Sequence, residues 1–249
     1  MLEALIFDVD GTLADTEMAH LAAFNYAFRE GGMNWHWDEA LYTQLLAVSG
    51  GKERLLHYWH QVSPDITDVG SNALQDVITR LHELKTAAYE QSVQDGAVQL
   101  RPGVLELIQE AANEGLQLAI ATTTSPVNIA ALLSKAIGPD WTYYFSVIED
   151  ASTAPHKKPD PQVYLQTLAR LQRPASVCIA FEDSENGLRA ANAAHLATLV
   201  TPNQFTHHHD FTGAMRVLPS LEGVRLQDLR AMHTAHAGTR APTKRPHRR

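Results

Sequence analysis

Asp8 and Asp10 stand two residues apart in Asp8-Val9-Asp10-Gly11-Thr12, where a short apolar run gives way to a turn. Thr122, Thr123 and Thr124 follow a second apolar run, Glu182 and Asp183 close a third, and Lys157-Lys158-Pro159 precedes a helical pattern. Four carboxylates brought together repel one another unless a cation sits among them. An all-oxygen donor set suits Mg²⁺, which keeps open positions for water and for substrate phosphate. With a lysine and a hydroxyl beside it, such a set can neutralise a phosphoryl group in transfer. One aspartate can then be the nucleophile. The other, two residues on, can protonate the leaving oxygen and later activate water.

These groups need a scaffold that delivers strand ends to one place. Ala4 to Val9, Leu116 to Thr122, Phe145 to Ile148, Val177 to Glu182 and Ala197 to Val200 read as short, nearly continuous apolar strands, and Arg216 to Leu218 as a weaker one. Helical patterns fall between them over Pro126 to Ile137, Pro161 to Leu171 and Ser184 to His195. Strands alternating with helices predict an α/β fold, a Rossmann-like parallel sheet whose ligands gather at the carboxyl ends of its strands. From Thr16 to about Val98 the pattern is helical instead, as in Leu21, Phe24 and Phe28 or Leu74, Val77, Ile78 and Leu81, broken at Gly31-Gly32 and Ser63-Pro64-Asp65. The expected organisation is a core of residues 1–15 and 99–235, an all-helical domain of residues 16–98 inserted after the first strand, and a disordered basic tail over 236–249.

The chain has 249 residues, 45% of them hydrophobic and 19% charged, which excludes a wholly disordered polymer. Its single cysteine, Cys178, permits no intrachain disulfide, and a reducing, cytoplasmic setting is expected. No apolar run approaches the length of a membrane span, and no signal or transit peptide is expected at the N-terminus. The net charge is −8, although Arg240, Lys244, Arg245, Arg248 and Arg249 crowd the C-terminus without an acid among them. So acidic a body argues against nucleic acid as a partner. A small anionic substrate, no membrane and a monomer are expected.

The four clusters, in order and at strand ends, resemble the four motifs of the haloacid dehalogenase-like superfamily: Asp8-Val9-Asp10-Gly11-Thr12, Thr122, Lys158 and Glu182-Asp183. The helical insertion between the first two is similar to the superfamily's C1 cap. The resemblance implies Asp8 as nucleophile and Asp10 as general acid and base. It implies Mg²⁺ held by Asp8, the Asp10 carbonyl and Asp183, with Glu182 ligating or supporting, and phosphate held by Thr122, Thr123 and Lys158. Asp15-Thr16-Glu17, His20, Trp35 and Trp37, Ser49-Gly50-Gly51-Lys52-Glu53-Arg54, and Leu100-Arg101-Pro102-Gly103 further resemble the CbbY-type sugar-bisphosphate phosphatases. That branch hydrolyses xylulose 1,5-bisphosphate, an inhibitor of Rubisco, to xylulose 5-phosphate. By this resemblance Gly50, Gly51, Lys52 and Arg54 meet the distal phosphate, and Glu17, His20 and Tyr42 the sugar hydroxyls.

Duller readings compete for each residue. His20 has the spacing of a core-edge residue with Leu21 and Phe24, and Lys52 and Arg54 that of a solvated helix face. Lys157 reads as a surface charge, His207-His208-His209 as coil, and Cys178 as a small buried hydrophobe. A sugar phosphomutase of the β-phosphoglucomutase type and a broad-specificity sugar-phosphate phosphatase would share the core motifs. Asp10 counts against a dehalogenase, which has no alkoxide to protonate. The full set of acids counts against a non-catalytic phosphate sensor.

Overall fold

Six strands form one parallel sheet in the order β3-β2-β1-β4-β5-β6 in the computed structural model, which describes residues 1–63 and 72–240. They are β1 (Ala4–Phe7), β2 (Gln117–Ala121), β3 (Val147–Glu149), β4 (Cys178–Glu182), β5 (Ala197–Val200) and β6 (Arg216–Val217). The α/β parallel-sheet class read from the sequence is the one observed. The strands are shorter than their apolar runs, because Val9 and Thr122 lie beyond the last ladder bonds.

The chain fills the β2-β3 side of β1 first and then crosses to β4, β5 and β6 on the other. This reversal opens a crevice at the carboxyl ends of β1, β2 and β4. Strands β1, β2, β4 and β5 bury both faces, with period-two alternation, whereas the two residues of β6 are exposed at the sheet edge. Leu5, Phe7, Leu118, Ile120, Ile179, Phe181 and Leu199 form one face, where Phe7 and Phe181 stack at 4.5 Å. They pack under α5 (Val104–Asn113), α6 (Pro126–Ala136) and α9 (Leu226–Arg240). The opposite face is small: Ala4, Ala119, Ala121, Cys178 and Ala180, with Ile6. That lets α7 (Gln162–Leu171) and α8 (Glu185–Ala193) lie close upon it.

Between β1 and β2 stand α1 (Glu17–Glu30), α2 (Glu39–Leu45), α3 (Gly51–Val62) and α4 (Asn72–Gln94). They enclose a separate apolar cluster of Leu21, Phe24, Phe28, Trp37, Tyr42, Leu45, Leu55, Leu74, Ile78 and Leu81. Trp35 and Trp37 belong to this packing, edge-on to Phe28 at 5.5 and 4.8 Å. The far end of α4 joins the main core instead, through Tyr89 and Val93.

The expectation of a disordered tail from residue 236 is corrected. Helix α9 runs on to Arg240, anchored on the core by Leu226 and Leu229 and packed there by Met232. Residues 241–249, with most of the basic cluster, and Pro64-Asp65 lie outside the described residues. Among the described residues no helix is long and apolar enough to cross a membrane.

Candidate active site

Parallel register brings the acids level. Phe7 pairs with Ile120 on one side and with Phe181 on the other, so the next residues along, Asp8, Ala121 and Glu182, share one edge of the sheet. Lys158 reaches in beneath them. Its Nζ donates to Asp8 Oδ1 at 2.7 Å, to Glu182 Oε1 at 2.6 Å and to the Ala121 carbonyl at 3.0 Å. Those three bonds use every proton of an ammonium. Thr12 Oγ1 donates to Asp8 Oδ2 at 3.3 Å, Tyr164 Oη donates to Glu182 Oε1, and Asn203 Nδ2 donates to Asp183 Oδ2 at 2.8 Å.

Asp8, Glu182 and Asp183 are buried, and each places a carboxylate oxygen within 4.8 Å of the others. One lysine does not balance three such charges. Burial, opposed by Lys158, pushes the Asp8 carboxyl up to about 7. Burial, with Asp8 and Glu182 beside it, raises Asp183 well above the carboxylate range. Glu182 Oε2 is buried and accepts no hydrogen bond. A hard divalent cation answers all three features: it satisfies the orphaned oxygen, offsets the repulsion and accepts a pure oxygen donor set. The residues present therefore fit Mg²⁺. Backbone makes room for the cluster at two glycines. A Cβ on Gly11, where φ is +76°, would lie 2.3 Å from Asp183 Oδ2, and one on Gly187 would lie 1.8 Å from Glu182 Oε2.

Asp10 faces a different environment. Its Oδ1 lies 3.0 Å from His20 Nε2, and its Oδ2 accepts from Thr124 Oγ1. Burial alone would raise this carboxyl, yet His20 and the Thr124 bond outweigh it and hold Asp10 below the usual carboxylate range. His20 Nδ1 in turn lies 2.8 Å from Lys85 Nζ, and the imidazole stacks on Tyr89 at 4.1 Å. An ammonium can only donate, so Nδ1 accepts and the His20 proton sits on Nε2, aimed at Asp10. Burial brings Lys85 itself down to about 8.

Asp8, Asp10, Glu182 and Asp183 share one cavity of about 440 Å³ with Thr122, Thr123, Lys158 and, from the helical insertion, Glu17, His20, Gly50, Gly51, Lys52 and Arg54. Two of the expected contacts are placed differently. Tyr42 is fully buried behind Glu17, donating to its Oε2 at 2.6 Å, and does not line the cavity. Arg54 lines the cavity but is already bonded to the Leu45 and Val48 carbonyls, at 3.1 and 3.2 Å, and to Tyr42 Oη at 3.2 Å. It shapes the turn before α3 and braces Glu17. Thr122 is buried, and its Oγ1 accepts from the Thr124 amide at 3.3 Å. Two residues read as bystanders prove otherwise. Lys157 is half-buried on the cavity wall, donating to the Ala151 carbonyl at 3.3 Å. His209 lines the mouth and accepts from the Glu185 amide at 3.2 Å.

Lys85, His82, Tyr164 and Asn203 carry no motif and are absent from the sequence reading. Lys85 alone left a signal: it continues the buried stripe Leu74, Ile78, Leu81, Lys85, Tyr89 on α4. A charged residue at a core position of an amphipathic helix marks a site or a partner.

A six-stranded parallel sheet with a helical insertion after β1 and an aspartate pair at the end of β1 defines a hydrolase class. A model of the haloacid dehalogenase-like hydrolases matches residues 2–195, and the chain belongs to that family as one of its phosphatases. More narrowly, it is 50% identical over 251 residues to a plasmid-borne CbbY protein of Cupriavidus necator, covering 96% of this chain and 98% of that one. CbbY from Rhodobacter sphaeroides, solved with phosphate, superposes with a TM-score of 0.83 at 39% identity, covering 92% of this chain and 100% of that one. A variant of the same protein solved with xylulose 1,5-bisphosphate gives 0.83 at 40% identity, over 92% and 99% of the two chains.

Proposed function

We propose that this phosphatase is Mg²⁺-dependent and hydrolyses xylulose 1,5-bisphosphate to xylulose 5-phosphate, removing an inhibitor of Rubisco. The observation that carries the reading is the pairing of two differently set aspartates in one cavity. Asp8 is fixed by Lys158 beside an under-neutralised acid cluster, and Asp10 is held on the side of the helical insertion by His20 and Thr124. Environments that push two carboxyl groups apart assign them different roles. The relative solved with xylulose 1,5-bisphosphate supports the choice of substrate.

In the first step an Asp8 carboxylate oxygen attacks phosphorus, the ester P–O bond breaks, and Asp10 gives its proton to the departing sugar oxygen. In the second, Asp10 takes a proton from water, the water oxygen attacks the aspartyl-phosphate, and inorganic phosphate leaves with Asp8 restored. The ionised Asp10 of this structure is the form required by the second step. Approach of an anionic substrate raises its pKa toward the protonated form required by the first. Bound at Asp8, Asp183 and the Asp10 carbonyl, with Glu182 alongside, Mg²⁺ would supply charge neutralisation for the transferring phosphoryl group. The Lys158 charge adds to that neutralisation. The Thr122 amide is taken by the Glu149 carbonyl, so Thr122 offers its hydroxyl, and Thr123 its hydroxyl and amide, to the phosphoryl oxygens.

Helices α1 to α4 act as a cap. Lys52, Arg54, Lys85 and the core residue Lys157 give the cavity a cationic wall that matches a second phosphate. The test is phosphate release with Mg²⁺ from xylulose 1,5-bisphosphate, ribulose 1,5-bisphosphate, fructose 1,6-bisphosphate and β-glucose 1-phosphate. The expected kcat/KM for xylulose bisphosphate exceeds that of its ribulose epimer at least ~100-fold. Asp8→Asn is expected to abolish turnover. Equal, slow hydrolysis of all four would overturn the substrate assignment, and glucose 6-phosphate from β-glucose 1-phosphate would show a mutase.

A further inference from the structure

The loop after β5 reaches both the acid cluster and the core of the cap, and no motif accounts for it. Arg101, buried at 8% exposure, ties this loop to the rest of the site. Its Nη1 donates to the Gly11 carbonyl at 2.5 Å and to the Thr201 carbonyl at 2.6 Å, and its Nη2 to the Pro202 carbonyl at 2.9 Å. Its Nε lies 3.3 Å from Asp15 Oδ1 in the first cap linker. One guanidinium thus joins the turn after β1, a cap linker and the loop after β5.

The next residue along is Asn203, whose two amide atoms are both committed. Nδ2 donates to Asp183 Oδ2 at 2.8 Å, and Oδ1 accepts from the Phe205 amide at 2.8 Å. Phe205 then leaves the α/β core altogether. It is 4% exposed within the cap's apolar cluster, edge-on to Tyr42 at 5.9 Å, and Tyr42 bonds Glu17 of the cavity wall. A continuous set of contacts therefore runs from Asp183 through Asn203 and Phe205 to Tyr42 and Glu17.

We infer that Asn203 and Phe205 are positioning residues that couple the seating of the cap to the orientation of the Asp183 carboxylate. The inference rests on the proposed cation site at Asp8, Glu182 and Asp183. Seated, Phe205 holds the loop so that Asn203 fixes one Asp183 oxygen and leaves the other for the cation. Without Phe205 in the cap, the loop loses its outer anchor and Asn203 its register. Partners that orient a metal's carboxylates typically contribute 10–100-fold in affinity. Phe205 can act on the cluster by two routes, along the loop through Asn203 and through Tyr42 to Glu17, and only the first makes its effect overlap with that of Asn203.

The experiment titrates MgCl₂ calorimetrically into wild type, Asn203→Ala, Phe205→Ala and the double variant, without substrate, and records each thermal unfolding curve. Asn203→Ala is expected to raise the Mg²⁺ dissociation constant ~10–100-fold. Phe205→Ala is expected to raise it at least ~5-fold, with the double variant no weaker than Asn203→Ala alone, since two members of one path do not add. Phe205→Leu, which keeps an apolar plug and protects against loss of fold, is expected to restore most of the affinity. Wild-type affinity in a folded Phe205→Ala or, should that variant not fold, in a folded Phe205→Val, would overturn the coupling. Absence of any Mg²⁺ binding to wild type would overturn the cation site itself.

Discussion

Replacing Lys85 by methionine separates what this lysine costs the fold from what it gives the reaction. Lys85 is 4% exposed and its pKa falls from 10.5 to about 8, chiefly through burial. A depression of that size is a penalty of about 3 kcal/mol against the unfolded chain. Methionine has similar length and no charge, so Lys85→Met is expected to stabilise the protein by about 1–3 kcal/mol. In a chain of this size that raises Tm by about 2–12 °C. The pH dependence has a definite sign. Between about 8 and 10.5 the unfolded lysine holds a proton that the folded one has shed, so wild-type stability rises with pH across that window and the variant lacks the rise. Below 8 both states are protonated and the full penalty applies. Activity moves the other way. Without the donor at 2.8 Å, His20 Nδ1 can carry the proton itself and leave a bare Nε2 lone pair facing Asp10. A hydrogen bond to a charged group contributes about 1.5–3 kcal/mol, so kcat is expected to fall ~10–150-fold. Steady-state kinetics with the bisphosphate and thermal unfolding of the same sample check both halves. A kcat within ~3-fold of wild type would refute the Lys85-His20-Asp10 relay, and a Tm lowered by more than ~4 °C would refute the destabilising effect of burial.

Gly187→Ala should destabilise despite alanine's ~1 kcal/mol helix advantage, because its Cβ would lie 1.8 Å from Glu182 Oε2; a lower Tm together with a kcat loss of ~100-fold or more is expected. Lys52→Ala is expected to raise KM for the bisphosphate ~10-fold or more while kcat changes little, as for a group that binds ground and transition states alike, and initial-rate kinetics decides it. His82 is held down to about 4 by burial, with Lys85 and Lys52 adding to the effect. As pH falls from 6.5 toward 4 the unfolded chain takes up a proton that the folded one refuses. Stability should drop by about 1–3 kcal/mol over that range, allowing for partial solvent screening. Urea unfolding at about pH 4.5 and 7 should show a shallower loss in His82→Gln.

The core motifs were legible because parallel strands deliver the residues at their carboxyl ends to one edge. Asp8, Thr122 and Glu182-Asp183 each directly succeed or end an apolar run, so their meeting is dictated by the sheet alone. Lys85, Asn203 and Phe205 meet the site through tertiary packing, and no local pattern encodes that α4 crosses above Asp10 or that a loop after β5 enters another cluster. Tyr42 was misplaced for the related reason that a tyrosine at a cap position reads the same whether it faces the cavity or stands behind Glu17. Helix α9 does carry apolar spacing at Leu226, Leu229 and Met232. The alanines, histidines and threonines after them give that spacing little contrast, and the basic cluster beyond it drew the boundary of the tail too early.

The two chain crossings between core and cap lie side by side. Ala14 bridges Leu100 antiparallel, and the Arg101 amide donates to the Leu13 carbonyl at 2.9 Å. This bears on the order of folding. Pairing Ala4 with Gln117 joins strands about 110 residues apart, a non-local contact of the kind that slows folding. If α1 to α4 assemble first, their ends are already together, and the span still to be closed shrinks to roughly 30 residues of ordinary chain. Loop-closure entropy then eases by about 1 kcal/mol, and nearest-neighbour helix packing replaces a long random search. The insertion that shapes the substrate cavity would thus also serve as an internal clamp on the nascent sheet.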